Sequence, residues 1–280
     1  MRFSRKVALV TGGNSGVGRA TALILAKGGA AVVIAARDSV KGREVQREVE
    51  KVAASLPPDP NDPTFFGDAP PDVAPTLPPQ AVVVSTDVTS PESCAGAVQH
   101  ALDSFGRLDI LVNNAGVILR EMTVVDTAPE EWDLTFDVNV RGTYLMSRAA
   151  IPVMEKNPRG GVIVNTASYL GLVGGRGVAA YAAANCAVVN LTRAMALDHA
   201  EQKVRVNCVA PGSVDSPMLR REMEERGGEE AVRHLFKRKH ALGRISQPEE
   251  VAQAIAFLAS DEASFITGAC LPVDARLTAG

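Results

Sequence analysis

Thr11-Gly12-Gly13-Asn14-Ser15-Gly16-Val17-Gly18 is the stretch on which the fold turns, because of what stands on either side of it. Before it runs Val7-Ala8-Leu9-Val10, apolar and β-branched at both ends, which reads as a strand. After it, from Gly18 to Lys27, the apolar positions take helical spacing. Glycines at a strand-to-helix turn let backbone approach a pyrophosphate and let the helix pack close to the strand. The helix N-terminus then directs N–H groups at the phosphates. A glycine triplet by itself is a weak signal, since turns use glycine for many reasons. The strand before it and the helix after it make the signal specific.

The same alternation continues outward. Val32–Ala35, Val82–Ser85, Ile110–Val112, Val162–Thr166, Val204–Val209 and Leu271–Val273 read as further strands. Their near-continuous hydrophobicity suits strands covered on both faces. Helical patterns lie between them at Ser39–Ala54, Pro91–Phe105 and Glu249–Leu258. The expected fold is α/β: a single doubly wound Rossmann-like domain over residues 1–280, with a mostly parallel seven-stranded sheet flanked by helices. At 280 residues, 46% of them apolar, the chain can bury a core of that size.

Composition narrows the function classes. Net charge is −3 with the charges mixed along the chain, so no basic stripe points to nucleic acid. The opening MRFSRKVALVTGG has too short an apolar run for a secretory signal, and no stretch approaches the roughly 18 apolar residues of a membrane helix. A soluble, cytoplasmic protein without a membrane partner is expected. Cys94, Cys186, Cys208 and Cys270 are widely spaced and form no CxxC pair, so they read as packing residues and no metal site is expected. One segment breaks the rhythm: Leu56–Gln80 carries nine of the 17 prolines and reads as a surface insertion between the second helix and third strand.

The motifs then fall in an order that resembles the classical short-chain dehydrogenase/reductase family. TGGNSGVG looks like that family's TGxxxGxG turn. Asp87-Val88 ends the third strand, Asn113-Asn114-Ala115-Gly116 ends the fourth like the NNAG motif, and Pro211-Gly212 closes the sixth. The resemblance spans almost the whole chain except the insertion. It implies a nicotinamide dinucleotide held by Thr11, Gly12, Asn14, Ser15, Gly16, Val17, Gly18, Arg37, Asp87, Val88, Asn114, Ala115, Gly116, Tyr181, Asn185, Pro211, Gly212 and Val214. Ala36 takes the place where members that prefer NAD resemble one another in carrying Asp, and Arg37 follows it. An arginine there suits a 2′-phosphate, so NADP(H) is expected in preference to NAD(H), unless Asp38 ties up the guanidinium.

The catalytic group implied by the resemblance is Asn139, Ser168, Tyr181 and Asn185. Tyr acts as general acid/base, Ser orients the carbonyl, and Asn supports a water-mediated proton path. The family's lysine, in YxxxK, is replaced: this chain reads Tyr181-Ala182-Ala183-Ala184-Asn185. A nearby cation lowers a tyrosine pKa from about 10. Asparagine can hydrogen-bond a ribose but supplies no charge. Arg141, Arg148 and Arg176 are candidate substitutes only where the fold brings them close. An introduced Lys→Asn change, natural divergence, and a non-redox or binding use of the scaffold all fit this departure.

The resemblance further implies a substrate lid over residues 212–243, hinged at Gly227-Gly228, a small alcohol/ketone substrate, and a homotetramer or homodimer using the Ala187–Ala200 helix. The closing ITGACLPVDARLTAG resembles the family's last strand, with Ala275-Arg276 in place of its usual glycines.

Overall fold

The computed structural model describes residues 1–56, 80–119, 122–225 and 227–279, so residues 57–79 of the expected proline-rich insertion lie outside the described residues. Seven strands, β1 (Val7–Thr11), β2 (Ala31–Ala36), β3 (Ala81–Ser85), β4 (Ile110–Asn113), β5 (Gly161–Thr166), β6 (Val204–Pro211) and β7 (Cys270–Val273), form one sheet. Their order is β3-β2-β1-β4-β5-β6-β7. The sheet was expected to be mostly parallel, and every pairing in it is parallel. The helices are α1 (Gly16–Lys27), α2 (Ser39–Ala54), α3 (Pro91–Phe105), α4 (Pro129–Phe136), α5 (Gly142–Met154), α6 (Ala179–Asp198), α7 (Pro217–Glu225), α8 (Glu229–Lys239) and α9 (Pro248–Ala259).

Alternation along each strand builds two cores at once. Ala8 and Val10 of β1 pack with α1, α2 and α9 on one face, through Leu25, Val45 and Ile255. Val7 and Leu9 pack with α3 and α5 on the other, through Val98, Met146 and Ile151. Side chains one residue apart on a strand point to opposite faces, so an apolar run with no polar gaps is what this sandwich requires.

Caps set the helix boundaries. Asp38 accepts the backbone N–H of Val40 and Lys41, each at 3.1 Å, and so opens α2. Ser90 accepts that of Ser93 at 3.1 Å, Pro91 follows at the first helical position, and Gly106 at φ 73° ends α3. These two helices have the boundaries that the sequence predicts. The helix after the glycine turn begins at Gly16, two residues earlier than expected.

The strand order reverses between β1 and β4, and loops leaving their carboxyl ends diverge to opposite faces. That divergence opens the crevice in which such sheets bind ligands. At the far edge, beyond β7, Ala275 and Arg276 take φ values of 48° and 86°. Left-handed backbone is costly for residues with a Cβ. The Asp274 carboxylate holds the turn by accepting the N–H of Arg276 and Thr278, both at 3.0 Å, and the Thr278 hydroxyl at 2.7 Å. Among the described residues, no helix is long and apolar enough to cross a membrane.

Candidate active site

The glycine turn and the end of β4 form one interlocked unit. Thr11 Oγ1 accepts the backbone N–H of Asn114 at 2.9 Å and of Ala115 at 3.0 Å. Asn114 Nδ2 donates to the carbonyls of Thr11 and Gly12, at 3.1 and 3.4 Å. Gly12 sits at φ +61°, and a Cβ on Gly18 would stand 2.2 Å from the Gly12 carbonyl oxygen. Only a residue without a side chain fits there, so backbone closes on backbone. The side-chain hydrogen bonds of Thr11 and Asn114 therefore run to the protein itself and build the walls of the crevice.

Ser15 stands at the N-cap of α1 in extended conformation, but its side chain caps no N–H, and the first turn holds no acidic residue. The N–H groups of the first turn carry the helix's partial positive charge of about half a unit. The cradle formed by Gly12, Asn14, Ser15, Gly16, Val17 and Gly18 fits a diphosphate, because a Cβ would fill it and no side chain neutralises its donors.

On the β2 side of the crevice, Arg37 is exposed, and no carboxylate among the described residues pairs with it. Asp38, which could have held the guanidinium, is spent as the α2 cap. Asp87 accepts the N–H and hydroxyl of Thr89 at 2.9 and 2.8 Å. Those two bonds, with a smaller contribution from the charge of Arg37, hold its carboxyl below the ordinary range. Val88 is buried behind it, against Gly142.

Asn139 was expected in a helix and lies in a π-helical turn, Asp137–Arg141, inserted between α4 and α5. Its amide bonds the loop after β4 on both sides. Oδ1 accepts the N–H of Val117 at 2.8 Å, and Nδ2 donates to the Val117 carbonyl at 2.9 Å. The side chain thus clamps the loop after β4. What the extra residue of a π turn re-aims is the backbone, a feature frequent at functional sites.

Ser168 leaves β5 and caps a short 3-10 turn, Tyr169–Gly171, its Oγ accepting the N–H of Leu170 at 3.2 Å. That turn lies directly on α6: a Cβ on Gly171 would meet the backbone carbon and oxygen of Asn185 at 2.7 and 2.8 Å. Tyr181 and Asn185 are four residues apart on α6, hence on one helical face. The turn that Ser168 caps therefore lies against α6 at Asn185, one helical turn from Tyr181. Asn185 is 4% exposed, and its Nδ2 donates back to the Tyr181 carbonyl at 2.8 Å. Arg141, Arg148 and Arg176 are all exposed, and Arg141 is paired with Asp137 at 3.6 Å.

Pro211 ends β6, and Gly212 joins the end of β7 through its N–H to the Val273 carbonyl at 3.0 Å. Val214 bridges to Ser246. The region 212–243 holds two helices, α7 and α8. A Cβ on Gly16 would stand 3.4 Å from Cβ of Ser216, so the start of α7 abuts the glycine turn. Asp215 ties both helices down, through Arg220 at 2.9 Å and Arg233 at 3.7 Å. Arg220 foremost keeps the Asp215 carboxyl below its usual range.

Two features escaped the sequence reading. Buried His240, just after α8, accepts the N–H of Ser213 at Nε2, 3.1 Å away, linking the end of α8 to the segment after β6. A buried polar chain runs under the crevice from Ser147 through Asn113 and Asn165 to Thr192, with spacings of 3.1, 2.9 and 2.8 Å. The polar Asn165 within Val162–Thr166 was the only signal for it. A lone histidine among lysines and arginines gives none.

Known proteins match this geometry. The family profile described as enoyl-(acyl carrier protein) reductase matches residues 68–278, and the one described as short chain dehydrogenase matches residues 6–64. The meso-2,3-butanediol dehydrogenase of Serratia marcescens is 40% identical over 279 residues, covering 100% of this chain and 97% of its own. The cyclohexanol dehydrogenase of an Acinetobacter species is 35% identical, covering 99% and 96%. The crystal structure of gox2181 superposes with a TM-score of 0.85 at 31% identity, covering 100% of this chain and 98% of that one.

Proposed function

The chain belongs to the short-chain dehydrogenase/reductase family, and on that premise we propose an NADP(H)-dependent enzyme interconverting an alcohol and a ketone, its turnover impaired by Asn185. It is an oxidoreductase of that family. The observation that supports the finer reading is the apposition of the turn capped by Ser168 and α6 at Gly171, against Asn185 and one helical turn from Tyr181. The names of the butanediol and cyclohexanol relatives direct attention to small secondary alcohols.

The cradle of Gly12 to Gly18 would hold the diphosphate, with Ala115 and Gly116 on the facing wall. Asp87 and Val88 would border the adenine, and Pro211, Gly212 and Val214 the nicotinamide. A bound nicotinamide supplies or accepts the hydride. In the direction of reduction, Tyr181 donates the proton to the carbonyl oxygen. Ser168 takes the N–H of Leu170 on one lone pair, which leaves its O–H to donate to that same oxygen. Asn185 can bond a ribose hydroxyl through its amide but lends no charge to the Tyr181 phenol, which disfavours the phenolate at neutral pH. The helices α7 and α8 would cover the substrate and exclude water.

A groove of about 440 Å³ between the π turn, α5 and α6, lined by Phe136, Val140, Tyr144, Ala187 and Leu191, supports a homodimer or homotetramer built on these helices. The cofactor reading is tested by nicotinamide absorbance with small ketones, using NADPH and NADH side by side. Arg37→Ala should lower kcat/KM for NADPH by about 10–100-fold, as loss of a charge-assisted contact does, and spare NADH. Equal losses with both cofactors would sink the NADP(H) assignment.

A further inference from the structure

Away from the crevice, two thiols face each other. Cys208 of β6 and Cys270 of β7 are register partners in parallel strands. Partners in register point to the same face, and neighbouring strands lie about 5 Å apart. That spacing falls within the Cα separations of about 4.4–6.8 Å that a disulfide spans. Both side chains pack under α6, with Ala167, Val188 and Val189 around them. Cys208 is fully buried and Cys270 partly buried, so Cys270 is the member of the pair nearer to solvent.

The two are chemically unequal. The neighbouring Cys270 sulfur, with burial, pushes the Cys208 thiol far up. The Cys208 thiol beside it, helped by the charge of Arg193 on α6, draws the Cys270 thiol below its ordinary value despite burial. A thiolate is the reactive form of cysteine, and a nearby cation favours it.

We propose that Cys208 and Cys270 are an oxidisable dithiol, converted by a hydroperoxide into a disulfide that fastens the edge strand β7 to β6. The Cys270 sulfur attacks one oxygen of hydrogen peroxide and keeps it as a sulfenic acid, while the O–O bond breaks and the other oxygen leaves as hydroxide. The Cys208 sulfur then attacks the Cys270 sulfur and expels a second hydroxide, and the two thiol protons complete two waters. Two electrons pass from the thiols to one peroxide, and no other reactant is needed. Neither residue belongs to the proposed active site, so this inference stands or falls apart from the proposed function.

The test uses the full chain carrying Cys186→Ser, which removes the exposed thiol and with it cross-linking between copies. After treatment with one equivalent of hydrogen peroxide, trypsin under non-reducing conditions should release Val206–Arg220 joined to Ile245–Arg276, two hydrogens lighter than the separate peptides. The joined species should disappear on reduction. With Cys208→Ala added, dimedone should trap Cys270 as the sulfenic acid, whereas with Cys270→Ala added, Cys208 should stay a thiol. Recovery of both peptides unlinked from the peroxide-treated Cys186→Ser protein would overturn the proposal. So would dimedone found on Cys208.

Discussion

The proposed phosphate end of the crevice and the proposed catalytic end would meet their tasks by different means. The cradle after β1 is made of backbone: glycine at left-handed φ, a carbonyl that a Cβ on Gly18 would strike, and N–H groups at the start of α1. Here the family's pattern is intact. The catalytic end depends on side chains, and the carboxyl half of the chain departs from that pattern twice. Asn185 stands on the face of α6 that carries Tyr181, and Ala275-Arg276 bend into the left-handed region after β7. Backbone recognition spreads over many atoms and fails abruptly when one is crowded. Proton transfer rests on one charge near one oxygen, so a single substitution can weaken it and leave the fold whole.

The largest expected effect crowds the backbone end. In Gly18→Ala the new methyl would displace the Gly12 carbonyl, costing about 3 kcal/mol of stability and about 100-fold in dinucleotide affinity. Thermal unfolding and a fluorescence titration with NADPH check both, and unchanged affinity would break the contrast between the two ends. Asn185→Lys works on the other end. It should raise kcat about 10–100-fold near neutral pH, each unit of tyrosine pKa depression being worth about 1.4 kcal/mol. The pH needed for activity should fall, while dinucleotide affinity changes far less. A variant that gains affinity but no rate would move the defect from proton transfer to binding.

Smaller effects sharpen the second departure. Ala275→Gly and Arg276→Gly each relieve a left-handed residue of about 1 kcal/mol. Each should raise Tm by about 2–4 °C, as read by calorimetry, with kcat unmoved. Smallest is Glu250→Gln at the start of α9. Glu250 receives a two-pronged contact from Arg244 at 2.6 and 2.7 Å and caps the Gln247 N–H at 2.8 Å. Arg244 foremost lowers its carboxyl from 4.5 to about 2. A carboxyl depressed by folding contributes fully above its unfolded value and loses that contribution as pH falls toward the folded one. The pair is half exposed, so solvent screening limits the loss in Glu250→Gln to about 1 kcal/mol. The difference between variant and parent should vanish between pH 4.5 and 2, followed by urea unfolding.

The sequence by itself determined the seven strands, the helices α1, α2, α3 and α9, and the glycine turn after β1. Strand periodicity, glycines at a strand-to-helix junction, and the caps Asp38 and Ser90 are local, so neighbours in the chain specify them. It also set Asn185 where the resemblance implies a lysine, because Tyr181 and Asn185 are one helical turn apart. Only the tertiary structure decided that no carboxylate among the described residues pairs with Arg37, that the Asn139 amide clamps Val117, and that His240 supports Ser213. It alone set Cys208 opposite Cys270, 62 positions away in sequence. Those contacts join residues that no periodicity relates. Their partners are chosen by how the strands cross over, and a hydrogen bond between distant segments leaves no trace in either segment's local pattern.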